Sequence, residues 1–584
     1  MKTSAATLPG AAGAESDGRA TALLRRLRHL EPATLVWVVL IAVLLVLVVS
    51  PMAKLLFVSF ETRGTGAFTL SNYVTAYGRE RYVDALLNSL MLGGLSALLS
   101  LIFALPMAWA VSRTDMPFRG VTWGVVLGAF IMPPYLGAIG WILLAGPNAG
   151  WLNQAWTFVT GDPGSIVNVY TFTGLALVIA LNSFPFIFIF VKAALDMVSS
   201  EMEDAANILG AGPWRTMMTV TLPLVWPAIL AGVIIVFLET MALFGTPAII
   251  GIPARINVVT TQLWQFFEFP TRVEVAAAYA IPLLLITVAL IAVQRLVLSR
   301  KGFVSQTGKG GERRPVQLGA WKWLVFGWCA FVGLLAVLMP LIVLLQASFA
   351  KAWGRGFSFD NLTWRNYHYL IFEHDMAMPS VWNTIYFSAA AATFALVIAL
   401  LVAYIQHRKL VPFAGILGFL AMAPFVIPGI VMAIGFYAAY ASPPLALYGT
   451  AALMILAFTA RFLPIAYANC SAAVRTVHPE MEEAVRILGG GRMRAIRSVV
   501  APLMKKSLFG AWLIVFIIAT RELSAAIFLV GPNTRTMSVM LYDLSEEGNF
   551  EVLSALGGIL LVITVTLVAV GMRLLGRDFM LRRE

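Results

Sequence analysis

Long apolar runs separated by short polar stretches fill this chain from residue 34 to residue 576. Twelve runs are long enough to cross a hydrocarbon layer of about 30 Å, for which a helix needs roughly 20 residues. They lie at about 34–58, 84–111, 121–144, 172–195, 223–245, 273–298, 322–346, 382–405, 413–438, 447–470, 509–530 and 553–576. Each reads as a helix, because lipid offers unpaired N–H and C=O groups no partner and a helix satisfies them internally. The first run follows 33 polar and small residues but is long and has no clear small-residue cleavage site after it, so it reads as an uncleaved anchor. The expected fold class is all-α: a polytopic membrane protein of about twelve spans.

The polar interruptions contain a repeat. Residues 201–224, EMEDAANILGAGPWRTMMTVTLPL, match residues 480–503, EMEEAVRILGGGRMRAIRSVVAPL, at 12 of 24 positions and a constant offset of 279. The repeat extends into the spans: Asn88-Ser89-Leu90 meets Asn383-Thr384-Ile385, Pro133 meets Pro428, and Ala138-Ile139-Gly140-Trp141 meets Ala433-Ile434-Gly435-Phe436. Pro185 meets Pro464, and Gly251 and Arg255 meet Gly531 and Arg535. The order is kept and each half has six spans, so the chain is two parallel six-helix halves of equal orientation. The expected divisions are a tail at 1–33, a first transmembrane domain at 34–298, a polar Gly-rich linker at 299–321, a second transmembrane domain at 322–576, and a tail at 577–584.

Charge sets the orientation. The greater part of the 41 Lys and Arg falls in alternate segments, including the N-terminal tail, the stretch from Arg295 to Lys322, the second copy of the repeat and the C-terminus. The positive-inside rule then places both termini and both repeat copies in the cytoplasm. A net charge of +12 suits a polytopic protein against an anionic inner leaflet, and calls for no nucleic acid as partner. Composition agrees: 60% hydrophobic, 12% charged, mean hydropathy +0.85. Cys329 and Cys470 offer neither a disulfide framework nor a metal pattern, and no catalytic cluster is visible. Gly308-Lys309-Gly310-Gly311 lacks the spacing of a phosphate loop, so no nucleotide site is expected in this chain.

Four ionisable residues are expected at membrane depth: Glu239, Arg461, Arg521 and Glu522. A charge there costs several kcal/mol unless paired or hydrated, which makes these the candidates for lining a path. The third and ninth spans hold Pro133-Pro134, Gly137, Gly140 and Pro424, Pro428, Gly429. Two readings fit them, close packing through small residues or kinked helices along a gated path. Glu239 and Glu522 as proton sites would alternatively suit an ion-coupled secondary transporter. That class needs no duplicated polar segment.

In the repeated segment Met202, Ala205, Ala206 and Leu209 fall on one helix face, as do Met481, Ala484, Val485 and Leu488. Glu201, Glu203 and Asp204, and Glu480, Glu482 and Glu483, occupy the first turn, where negative charge suits the helix dipole. Gly210, Gly212, Gly489 and Gly491 permit a turn, and Pro223 or Pro502 is expected to open the next span. A slim helix with an exposed apolar face, presented twice, reads as a pair of docking knobs.

This segment resembles the cytoplasmic "EAA" loop of binding-protein-dependent ABC importer permeases, which runs Glu-Ala-Ala, three residues, Gly, nine residues, Ile, one residue, Leu-Pro. The copies give Asp204-Ala205-Ala206, Gly210, Val220, Leu222-Pro223 and Glu483-Ala484-Val485, Gly489, Val499, Ala501-Pro502. FLETMALFGTPAIIG at 237–251, RFLPIAY at 461–467 and ATRELSAAIFLVG at 519–531 are similar to the fused two-half permeases of the ferric-iron group. The resemblance implies two copies of a separate ATPase that binds the ATP and Mg, each receiving one coupling helix. It also implies an extracytoplasmic binding protein and residence in the bacterial inner membrane. Ferric iron is the substrate it favours, with polyamine, aminoethylphosphonate and thiamine as alternatives. Outer loops at 59–83, 145–171, 251–272, 347–381 and 531–552, with Glu61, Glu80, Glu373 and Asp375, would form the docking surface.

Overall fold

The computed structural model describes residues 32–198, 200–300, 315–356 and 358–576. The expected tails, apart from residues 32 and 33, and most of the expected linker lie outside the described residues. Within them the chain is helical and holds no sheet, only isolated bridges. The first half comprises α1 (Ala33–Ser59), α2 (Glu80–Arg113), α3 (Arg119–Ile131), α4 (Pro134–Ala145), α5 (Phe172–Met197), α6 (Ser200–Ile208), α7 (Trp214–Ala242), α8 (Val259–Gln265) and α9 (Val273–Leu296). The second repeats it as α10 (Trp321–Ser348), α11 (Ala377–His407), α12 (Gly415–Val426), α13 (Gly429–Tyr440), α14 (Ala451–Arg475), α15 (Pro479–Ile487), α16 (Arg492–Thr520), α17 (Met537–Glu546) and α18 (Phe550–Leu575). Ten helices are long and apolar enough to cross a membrane, or up to twelve if each bent pair is one span.

Three spans differ from expectation. The third and ninth are broken: α3 and α4 meet at 102° and α12 and α13 at 111°. Met132, Pro133 and Ile427 each precede a proline and are extended or close to it, as the ring of the following residue demands. The eleventh, expected at 509–530, is the helix Arg492–Thr520. Its start is masked in the sequence by Arg492, Arg494, Arg497, Lys505 and Lys506, which are exposed along it. Nor do Pro223 and Pro502 open their spans. Each lies inside one continuous helical run, just after a π-turn at Met217–Thr221 or Ile496–Val500. The wider turn shifts the hydrogen-bond register where proline removes a donor. Pro51 and Pro340 follow π-turns at Leu45–Val49 and Leu334–Leu338 in the same way.

The halves interlock. α1 packs against α9 of its own half and against α13 of the other; α10 packs against α18 of its own half and α4 of the other. Two glycines make this possible. A Cβ on Gly140 would stand 2.7 Å from Pro340 Cβ, and one on Gly435 would stand 2.8 Å from the Pro51 carbonyl oxygen. The Tyr440 hydroxyl donates to the Val46 carbonyl at 2.6 Å, in the π-turn of α1. The end of the linker is also tied down: Val316 N–H donates to the Arg113 carbonyl at 2.8 Å, and Asp115 accepts from Leu318 N–H at 2.9 Å.

Candidate functional site

The duplicated segment folds twice into the same object. α6 and α15 are short helices ending in a left-handed glycine, Gly210 at φ +82° and Gly489 at φ +84°. Behind each helix the chain turns by the same bond, Ala211 N–H to the Ala206 carbonyl at 3.0 Å and Gly490 N–H to the Val485 carbonyl at 2.9 Å. The departure at Val485 is compensated within the copy. A Cβ on Gly490 would lie 2.7 Å from Val485 Cγ1, so the larger residue at 485 goes with the smaller at 490, where the first copy has Ala206 and Ala211.

The tips are apolar and in solvent: Ile208 is 86% exposed, Leu209 87%, Ile487 85% and Leu488 88%. Ala205 and Ala484 are also exposed, as are Glu483, Gly212, Gly491, Pro223 and Pro502, while Asp204, Ala206 and Val485 are half-buried. Covering two such side chains would contribute about 3–6 kcal/mol per helix before association costs.

Glu203 and Glu482 face inward instead and anchor their helices. Arg408 meets Glu482 Oε1 through Nη2 at 2.6 Å and Nε at 2.7 Å, the Tyr404 hydroxyl donates to Oε2 at 2.7 Å, and Arg408 Nη2 also donates to the Val477 carbonyl at 2.8 Å. In the first half Arg113 lies 3.6 Å from Glu203, Arg113 Nη2 donates to the Val198 carbonyl at 2.7 Å, and the Thr221 hydroxyl donates to Glu203 at 2.7 Å. Arg113 and Arg408, Val198 and Val477, Glu203 and Glu482 are equivalent pairs. The last residue of α2 and the residue just after α11 thus hold the helices that follow α5 and α14. Sequence reading missed Arg113 and Arg408, although both end a span at the repeat's offset of 295.

The four candidates at depth divide. Arg461 donates to the Ile427 carbonyl at 3.0 Å, at the break between α12 and α13. Asn182 does the equivalent service in the first half, donating to the Met132 carbonyl at 3.3 Å. Arg461 needs the room Gly429 leaves, since a Cβ there would be 3.1 Å from its guanidinium. Arg521 crosses between halves to the carbonyls of Phe130 and Ile131, with its guanidinium 5.3 Å from the Phe130 ring centroid. Glu522 accepts from Ala525 N–H at 2.9 Å and braces its own loop. Glu239 is partly buried beside Ser183, with Arg521 and Arg461 the cations acting on it, and its Oε2 is shielded without a hydrogen-bond partner. Of the outer carboxylates, Glu61 pairs with Lys54 at 3.1 Å and Glu373 with His368 at 3.0 Å. Among the described residues no three His, Cys, Asp or Glu side chains group as metal ligands.

Residues 73–302 match the family described as the binding-protein-dependent transport system inner membrane component. The chain is 26% identical over 517 residues to the ferric transport system permease protein FbpB of Actinobacillus pleuropneumoniae, covering 86% of this chain and 72% of that one. It is 28% identical over 467 residues to the putative ferric transport system permease protein FbpB 1 of Haemophilus influenzae, covering 78% and 72%. The molybdenum transport system permease protein ModB of Escherichia coli is 28% identical over 217 residues, which are 37% of this chain but 90% of ModB. The chain is thus similar to binding-protein-dependent ABC importer permeases, over residues 73–302 by family and over most of its length by its long relatives, and that likeness favours this class over the ion-coupled alternative.

Proposed function

We propose that the chain forms the membrane path of an importer that takes ferric iron from an extracytoplasmic binding protein and releases it in the cytoplasm. Two copies of a separate ATPase drive it, and each receives one of α6 and α15 in a surface groove. Both termini and both coupling helices face the cytoplasm, and the divisions are those read from the repeat. The observation that carries the ATPase reading is the pair of exposed apolar tips, Ile208-Leu209 and Ile487-Leu488, each held rigidly from behind by a Glu–Arg pair. The coupling set is Glu203, Asp204, Ala205, Ala206, Gly210, Gly212 and Pro223 with Glu482, Glu483, Ala484, Val485, Gly489, Gly491 and Pro502.

Ferric iron rests on the two long relatives with ferric transport names. Arg461 and Arg521 each donate through Nη1 to backbone carbonyls at the helix breaks, which gives both a structural role there. Glu239 is the remaining path candidate. Uptake of radiolabelled ferric ion, putrescine and aminoethylphosphonate, compared between a deletion strain and the strain complemented with this chain, tests the substrate. Restoration of iron uptake alone is expected. Restoration of another solute without iron would refute the assignment.

A further inference from the structure

The second helix of each half is pinned at both ends, and its far pin adjoins an aromatic cluster between the halves. At the near end Arg113 and Arg408 grip the coupling helices. At the far end Asn88 Nδ2 donates to the Asn257 carbonyl at 3.0 Å and Ser89 Oγ accepts from Val259 N–H at 2.8 Å, at the start of α8. Asn383 Nδ2 donates to the Asn533 and Arg535 carbonyls at 3.0 and 2.9 Å, and Thr384 Oγ1 accepts from Met537 N–H at 2.8 Å, at the start of α17. The pins are 25 residues apart in both halves, 88 to 113 and 383 to 408. That is about 38 Å of helix at 1.5 Å per residue, most of the depth of a bilayer.

α8 and α17 meet through aromatic rings. Trp264 and Tyr542 are 6.3 Å apart, Trp264 and Phe528 5.4 Å, Phe244 and Tyr542 5.7 Å, and Phe267 and Phe528 4.9 Å. Phe244, Trp264 and Phe267 come from the first half, Phe528 and Tyr542 from the second, so separating the halves here must break the cluster. Rings packed edge to face exclude water and solute as long as they stay together.

We propose that this cluster is the gate at the face opposite the coupling helices, and that α2 and α11 are the struts that open and close it. The proposal rests on the ATPase-driven reading. A coupling helix that moves carries its Glu, hence the Arg at the end of the strut. A long, continuous helix passes that displacement to Asn88 or Asn383, and so to α8 or α17. The physical requirement for such coupling is a contiguous chain of bonded contacts between two elements that move, and each half supplies one.

The test uses the complete transporter in proteoliposomes: this chain, its ATPase and the binding protein loaded with ferric ion. In the wild type ATP hydrolysis should rise when the binding protein is added. Absence of that response in the wild type defeats the importer reading, not the strut. Given it, Asn88→Ala with Asn383→Ala should cut the stimulation at least fivefold with the ATPase still bound in wild-type amount. Met91→Ala, on an exposed part of α2, should respond as wild type. Phe528→Ala, and more mildly the volume-keeping Phe528→Leu, should raise hydrolysis without the binding protein and make it insensitive to the Asn pair. Stimulation of the Asn pair within twofold of wild type, or Phe528 variants that still need the binding protein as the wild type does, would overturn the proposal.

Discussion

Replacing Glu482 with Ala should loosen α15 far more than Glu203→Ala loosens α6. Glu482 is 8% exposed and receives two guanidinium N–H groups and a phenol at 2.6–2.7 Å. Its loss leaves the Arg408 side chain, 11% exposed, facing a buried void, and breaking a buried pair from one side costs about 3–5 kcal/mol. In the first half the ion pair is longer, 3.6 Å, and the shortest bond is a neutral hydroxyl to carboxylate at 2.7 Å. Arg113 is itself 4% exposed, but its approach to Glu203 is longer and Glu203 is 15% exposed, so the pair contributes less and its loss costs about 1–3 kcal/mol. The difference of about 2 kcal/mol corresponds to roughly thirtyfold in the population of the displaced helix. Amide hydrogen exchange of 479–490 and 200–211 in the detergent-solubilised chain reads both populations. Exchange of α15 should accelerate by about a hundredfold or more in Glu482→Ala and about tenfold in Tyr404→Phe, which keeps the ion pair. Glu203→Ala should move α6 by about tenfold. Equal effects in the two halves, or less than threefold for Glu482→Ala, would refute the reasoning.

The glycines of the coupling turn should separate into two kinds. Gly210→Ala and Gly489→Ala force a side chain into the left-handed region at about 1–2 kcal/mol each and should lower ATP-driven uptake, whereas Gly212→Ala and Gly491→Ala, with nothing within 4 Å and no positive φ, should lower it less. Gly140→Ala should lower the thermal midpoint in detergent, since its Cβ would meet the Pro340 ring at 2.7 Å, a clash worth about 1–3 kcal/mol. Gly429→Pro with Arg461→Asn recreates the Pro134 and Asn182 arrangement of the first half. The pair should be less damaging than the sum of the single changes, and strict additivity in a double-mutant thermal-unfolding cycle would contradict the bracing of the α12–α13 break by Arg461.

The class of this protein was legible because its two strongest physical signals are local. Apolar length marks spans whatever they pack against, and the repeat kept its polar pattern through 24 residues. What stayed hidden depends on three-dimensional pairing. The breaks at Pro133 and Pro428 looked like tolerated kinks, because proline within an apolar run does not announce a turn of 102° or 111°. The start of α16 was obscured because a helix emerging into water carries charges, and hydropathy then reads it as loop. Arg113 and Arg408 passed as ordinary positive-inside charges at span ends. Only the fold shows that each reaches a carboxylate in the repeated segment and a carbonyl just before it. Arg461 and Arg521 drew attention as possible path residues because intramembrane charge is costly; carbonyls freed at the helix breaks meet much of that cost. Among the described residues Glu239 alone of the four keeps a shielded carboxylate oxygen without a hydrogen bond.

The central claim is that one chain carries two docking sites for the same ATPase. Its most direct test is the native mass of the complex purified from membranes through a tag on this chain. Two ATPase copies per chain are expected, falling to one in Leu209→Asp or Leu488→Asp and to none in the double variant. One copy per chain in the wild type, or two retained in the double variant, would contradict it.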